Sequence, residues 1–241
     1  MAKVIICKDY EEASDKAFEE FKQYLQPGKV LGLATGSTPL GLYARMVKDH
    51  KENGTSYKDI KSFNLDEYVN LPITHPESYY AFMHRNLFDQ IDIPEENTHV
   101  PSGLGDLEAG AKKYDEMIDA SPVDCQILGI GSDGHIAFNE PGTAFDSPTH
   151  VTDLAESTIK DNARFFDFDM SKVPTQAVTQ GIGTIMKAKN IIIICTGANK
   201  ANAVKAMLEG PVDVNCPASI LQKHNSVTVI LDEAAAALLN K

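Results

Sequence analysis

Six short strand-like segments, separated by stretches of helical spacing, constrain this chain more than any other feature. Val4–Cys7, Val30–Ala34, Asp59–Leu65, Cys125–Ile130, Ile191–Cys195 and Val227–Leu231 read as strands. Several are unbroken apolar runs, and Ile191–Cys195 is β-branched up to its final cysteine. Runs of that kind belong to strands covered on both faces. Between them, Asp9–Leu25 places Ala13, Ala17, Phe18, Phe21 and Leu25 on one helical face before Pro27-Gly28 breaks the pattern. A second helix is predicted from about Pro39, with Leu42, Met46 and Val47 inward; others over 77–88, 106–118 and from Gly197 to Leu208; and a last one in the alanine-rich end. Strictly alternating strands and helices predict an α/β fold, a single-domain doubly wound, mostly parallel sheet with helices on both faces. In such folds ligands bind at the carboxyl ends of the strands.

The 241 residues, 43% apolar and 23% charged, suffice for one substantial core. No linker, repeat or low-complexity tract divides them, so one domain is expected over 1–241. The apolar run at the N-terminus is too short for a signal peptide, and no run is long enough to span a membrane. The expectation is a soluble, cytoplasmic protein. A net charge of −12 disfavours nucleic acid and anionic membranes as partners. It also means that any bound anion must be held by locally focused donors. The four cysteines show neither a C-x-x-C pair nor metal-ligand spacing, and are expected to be buried thiols.

Four loops at strand ends carry chemistry. Leu33–Pro39 delivers Gly36-Ser37-Thr38 to a helix start, where backbone N–H groups, the helix dipole and two hydroxyls suit an anion. A plain helix cap would use the same residues, and the Walker signature is absent. Cys195–Lys200 repeats the strand–glycine–helix pattern with Lys200 in the first turn. A cation is unfavourable there unless an anion is bound; a solvated lysine is the simpler alternative. Gly129–Gly142 contains G-x-G-x-x-G, yet Asn139-Glu140-Pro141-Gly142 stops any helix after the glycines, and Asp133 would oppose a pyrophosphate. That disfavours a dinucleotide. The loop instead offers His135 bracketed by Asp133 and Glu140, a unit suited to proton transfer. Finally, Asp66-Glu67 follows the third strand; Asp66 is a candidate general base, or the pair is an acidic turn. The acidic stretch Asp115–Asp119 reads as a solvated helix face.

Taken together, Ala34–Pro39, Phe63–Tyr68, His75–Tyr80 with Phe82–Asn86, Gly134–Pro141 and Ser157–Phe166 closely resemble the glucosamine-6-phosphate deaminase family, in the same order and over most of the chain. The related 6-phosphogluconolactonases share the fold and a similar Asp-Gly-His loop. The Phe138–Pro141 continuation and the Asn64–Tyr68 loop look like the deaminase branch. The resemblance implies conversion of glucosamine 6-phosphate and water to fructose 6-phosphate and ammonia, without cofactor or metal. It implies Asp66 as the base between C2 and C1, His135 as the ring-opening group, and Asp133 and Glu140 as the acids that tune it. Arg164 and Lys200 would be phosphate ligands beside Gly36, Ser37 and Thr38; Arg164 emerges from the resemblance alone. The other readings are a lactonase and a non-catalytic sugar-phosphate binding regulator.

Some members of that family are hexamers activated by N-acetylglucosamine 6-phosphate through a basic stretch after the Asn-Glu-Pro loop and a longer tail. Here Pro148–Asp153 carries no Lys or Arg, and the sequence stops at Lys241. The expectation is a monomer or small homo-oligomer without such activation. Tyr68–Tyr80 and Thr143–Phe165 are both candidate lids.

Overall fold

All six predicted strands lie in one seven-stranded parallel sheet. A computed structural model describes residues 2–240. The strands are β1 (Lys3–Cys7), β2 (Val30–Leu33), β3 (Lys61–Asn64), β5 (Thr98–His99), β6 (Cys125–Leu128), β9 (Ile191–Cys195) and β10 (Val227–Asp232), in the spatial order β1-β10-β9-β6-β2-β3-β5. Every pairing between them is parallel. β2, β6 and β9 are buried throughout, as their unbroken apolar character requires. The helices around the sheet are α1 (Tyr10–Phe21), α2 (Leu40–Asn53), α3 (Tyr79–Asn86), α4 (Leu107–Ala120), α5 (Glu156–Asn162), α6 (Ile182–Ile185) and α7 (Ala201–Glu209). α1 starts where Asp9 accepts a hydrogen bond from the Glu12 amide, at 2.9 Å. It buries Ala13, Ala17 and Phe21, as its spacing predicts.

After β2 the chain builds outward to β3 and β5, then returns to place β6 on the other side of β2. The order of the strands thus reverses between β2 and β6, and there the loops after them diverge and leave a crevice. A Cβ on Gly129, after β6, would lie only 3.6 Å from the Thr38 hydroxyl, after β2.

A second, three-stranded antiparallel sheet was not predicted. It consists of β4 (Asp66–Tyr68), β8 (Gln176–Thr179) and β7 (His150–Asp153), in the order β4-β8-β7. Asp66-Glu67 is therefore neither a turn nor the tail of β3. Leu65 alone separates the two strands, and the chain passes from one sheet to the other there. Gln180 fastens this seam, its backbone amide donating to Leu65 O (2.7 Å) and its side chain to Asn64 O (3.0 Å).

Two further expectations are corrected. The alanine-rich end forms turns rather than a helix. Asp232 takes the amides of Ala235 and Gly197, and Glu209 takes the backbone and side-chain nitrogens of Asn240, so side chains replace the regular helical ladder. Nor is Asp115 part of a solvated face. Its carboxylate accepts from Thr149 N (2.9 Å), Thr149 Oγ1 (2.6 Å) and Thr184 Oγ1 (2.9 Å), which ties α4 to β7 and α6.

Candidate active site

The crevice between the loops after β2 and β6 opens into a cavity lined by Thr35, Gly36, Thr38, Asp66, Tyr68, Tyr79, His135, Phe138, Asn162 and Arg164, among others. Asp66 enters it from the seam between the sheets, and only 6% of the residue is exposed. Burial, with the neighbouring Glu67 charge added, pushes its carboxyl up to about 8, while His135 pulls the other way. A carboxyl so placed takes and returns protons near neutral pH.

His135 sits on the loop after β6. Its Nδ1 lies 2.8 Å from Asp133 Oδ1 and 3.4 Å from Glu140 Oε2. Burial alone would lower the imidazole, but the two carboxylates outweigh it and raise the ring to about 9. The Asp133 carboxyl is correspondingly held well below the usual range, first by its contact with His135. Asp133 also accepts the His135 backbone amide at 3.1 Å, which fixes the start of the turn. With Nδ1 committed to the acids, Nε2 is the nitrogen left for a substrate.

Two glycines let the loop adopt this shape. Gly134 has φ +89°, a conformation that L side chains rarely adopt. At Gly131 an added Cβ would lie 2.3 Å from ring atoms of His135. Gly131→Ala is therefore expected to displace the imidazole and lower kcat on the order of a hundredfold, with the fold retained. Steady-state kinetics and circular dichroism of the variant check this.

Asp133, His135 and Glu140 are also a group of ligand-type side chains within 4.8 Å of one another. Pairing of an imidazolium with the two carboxylates accounts for that convergence, since they raise the ring despite its burial. A metal at Nδ1 would require the neutral ring, which the two carboxylates disfavour.

The residues predicted as anion donors come from three places. Gly36, with φ +84°, and Thr38 line the cavity. Ser37 is exposed and does not, its carbonyl being held by the Tyr10 hydroxyl at 3.0 Å. Arg164 lies on the rim, its guanidinium 4.7 Å over the Phe165 ring. Lys200 is outside the lining. Burial pulls its ammonium below the ordinary lysine range, the Arg164 charge adds to this, and Asp161, Cys195 and Asp133 oppose it. Two cations thus adjoin one mouth of a strongly acidic protein.

Other polar residues in or behind the walls were not singled out from the sequence. Thr158 Oγ1 donates to Glu140 Oε1 at 2.7 Å, and Asn162 Nδ2 to the Tyr68 hydroxyl at 2.9 Å; both belong to α5. The Tyr79 hydroxyl donates to that of Tyr68 at 3.4 Å. Their partners are too remote in sequence for spacing to reveal them. Of the two candidate lids, 68–80 supplies Tyr68 and Tyr79, and 143–165 supplies Asn162 and Arg164, so both enclose the cavity.

The family described as glucosamine-6-phosphate isomerases/6-phosphogluconolactonase matches residues 10–230. The chain belongs to that family. It is similar to the glucosamine-6-phosphate deaminase of Corynebacterium kroppenstedtii, 48% identical over 98% of this chain and 92% of that one. It is likewise similar to that of Shouchella clausii, 50% identical over 98% and 96%. A solved monomeric glucosamine-6-phosphate deaminase superposes with a TM-score of 0.96, at 42% identity over 98% of this chain and all of that one. A 6-phosphogluconolactonase from Trypanosoma brucei, at 23% identity and TM-score 0.79, shares the fold. The family thus joins two reactions on one scaffold, an isomerisation and a lactone hydrolysis.

Proposed function

We propose that the protein converts glucosamine 6-phosphate and water to fructose 6-phosphate and ammonia. The observation that carries this reading is a buried carboxyl raised to about 8 facing the same cavity as an imidazole clamped between two acids. An aldose–ketose conversion of a cyclic substrate needs both groups. His135, oriented by Asp133 and Glu140, moves the proton from O1 to the ring oxygen and opens the hemiacetal. The aldehyde then acidifies the C2 proton. Asp66 removes that proton and returns one to C1. The resulting C2 iminium adds water and expels ammonia. Gly36, Thr38 and Arg164, which line the cavity, are the groups assigned to the phosphate, with the Lys200 charge beside Arg164 and Ser37 turned away; holding the phosphate far from C2 supplies positioning energy. The sequence relatives support a deaminase, and the monomeric deaminase that superposes so closely supports action as a monomer.

The test is stoichiometric release of ammonia and fructose 6-phosphate by the purified protein. Hydrolysis of 6-phosphogluconolactone instead would assign the chain to the other branch of its family, and binding without turnover to a regulator. The pH dependence is a further expectation. Asp66 must be ionised to act, so kcat/KM should climb roughly tenfold per pH unit up to about 8. A profile flat between about pH 6 and 8 would mean that the Asp66 carboxyl is ionised throughout that range, and loss of activity in Asp66→Asn would then carry its assignment as the base.

A further inference from the structure

Glu67 is buried, with 2% of its surface exposed. Among the described residues no Lys, Arg or His lies within salt-bridge distance of it. Its carboxylate is satisfied by backbone amides. Oε1 accepts from Tyr68 N (2.8 Å) and Tyr79 N (2.9 Å), and Oε2 from Tyr80 N (2.9 Å). Tyr79 and Tyr80 open α3, and Ser78 Oγ takes the next amide, that of Ala81, at 3.0 Å. Ser78 alone would be an ordinary helix cap. The acid adds a tie between the first turn of α3 and β4, the strand that carries Asp66. Tyr68 and Tyr79 stand at the two ends of that tie. Their rings are 4.7 Å apart, and Tyr79 stacks on Phe138 at an interplanar angle of 9°.

We propose, on the assignment of Asp66 as the proton-transfer base, that Glu67 is a positioning residue for the reaction. Its carboxylate braces β4 against α3, so that the base and the tyrosine wall keep one spacing across the cavity. A fully amide-bonded carboxylate holds geometry more rigidly than a lone hydroxyl cap. A misplacement of about 1 Å in such a site is worth on the order of a hundredfold in rate. Glu67 also acts on Asp66 as a neighbouring negative charge. The other titratable groups facing Asp66 are His135 from the loop after β6, Tyr68 from β4, Tyr79 from α3 and Tyr114 from α4. Burial raises all three tyrosines, so they stay neutral, and the charges acting on Asp66 are those of Glu67 and His135; burial raises Glu67 itself, and its three amide hydrogen bonds oppose this by favouring the carboxylate.

Two variants separate bracing from charge. Glu67→Gln keeps the size, removes the charge and weakens the amide clamp. Glu67→Asp keeps the charge but is one methylene too short to reach β4 and α3 together. Asp66 titration is read in the ligand-free protein by carbon-detected NMR, with Asp66→Asn to assign the signal. Turnover and KM are read with glucosamine 6-phosphate. Both variants are expected to lose roughly tenfold or more in kcat with KM changed less than about twofold. The Asp66 titration should move to lower pH in Glu67→Gln and stay near wild type in Glu67→Asp. Loss of thermal stability in either variant with kcat intact would reduce Glu67 to a helix cap and overturn the proposal. Failure of the wild type to turn over this sugar would instead overturn the assigned reaction, while the ligand-free titration would still report on the contact between the two acids.

Discussion

Replacing Asp66 with asparagine is expected to lower kcat on glucosamine 6-phosphate by a hundredfold or more and, at the same time, to raise the thermal midpoint of the protein. The first effect follows from the role proposed for Asp66, carrying a proton between two carbons, which is worth about two to four orders of magnitude. The second follows from where that group is kept. A carboxyl raised to about 8 in the folded chain binds a proton that the unfolded chain releases near 4. Its contribution to stability is therefore present at low pH and is lost as pH climbs from about 4 through 8. Asparagine has the same shape and no charge to bury, so at neutral pH and above it relieves that strain and should raise the midpoint by several degrees. The gain should widen with pH and level off beyond about 8. Activity assays and calorimetry across that range check both halves. A variant that lost activity and stability together would mean that Asp66 is part of the framework rather than a group held against its own solvation.

Changing His135 to glutamine should have a comparable effect on turnover, about a hundredfold or more, because the ring opening proposed for it precedes every later step. Its signature in stability is different. The wild-type imidazole, raised from 6.5 to about 9, contributes stability in full below pH 6.5, and that contribution fades as pH rises through 9. The variant should accordingly be less stable than wild type in mildly acidic solution, with the gap closing towards about pH 9. Two carboxylates, Asp133 and Glu140, would face each other without the intervening cation. Thermal midpoints of wild type and variant against pH decide this; a gap independent of pH would mean that the ring is held by packing and not by charge.

How much of this site could be read from the sequence depends on the kind of residue. His135 with its acids lies within eight residues, and the glycine loops follow unmistakable strands such as Ile191–Cys195. Local spacing therefore carried them. The second sheet was invisible for the opposite reason. β4 reads Asp-Glu-Tyr and β7 reads His-Val-Thr-Asp, short polar segments without alternation, and each is a strand only because β8 lies beside it. Pairing of that range leaves no local signal. Glu67 was visible as an acid but not as a clamp, since Tyr79 and Tyr80 lie more than ten residues away. Ser37 and Lys200 show the converse. The glycine–helix pattern pointed to loops beside the cavity without resolving which side chains in them turn towards it.

The passage of the chain from one sheet to the other at Leu65 also bears on inheritance. The glycine loop with Gly36 and Thr38 hangs from the parallel sheet, whereas Asp66 begins the antiparallel one. Selection can alter the second without disturbing the first. A descendant could exchange the proposed proton-transfer group while keeping the loop proposed to hold a sugar phosphate, and a family whose description joins an isomerase with a lactonase is what such a divided inheritance would leave behind.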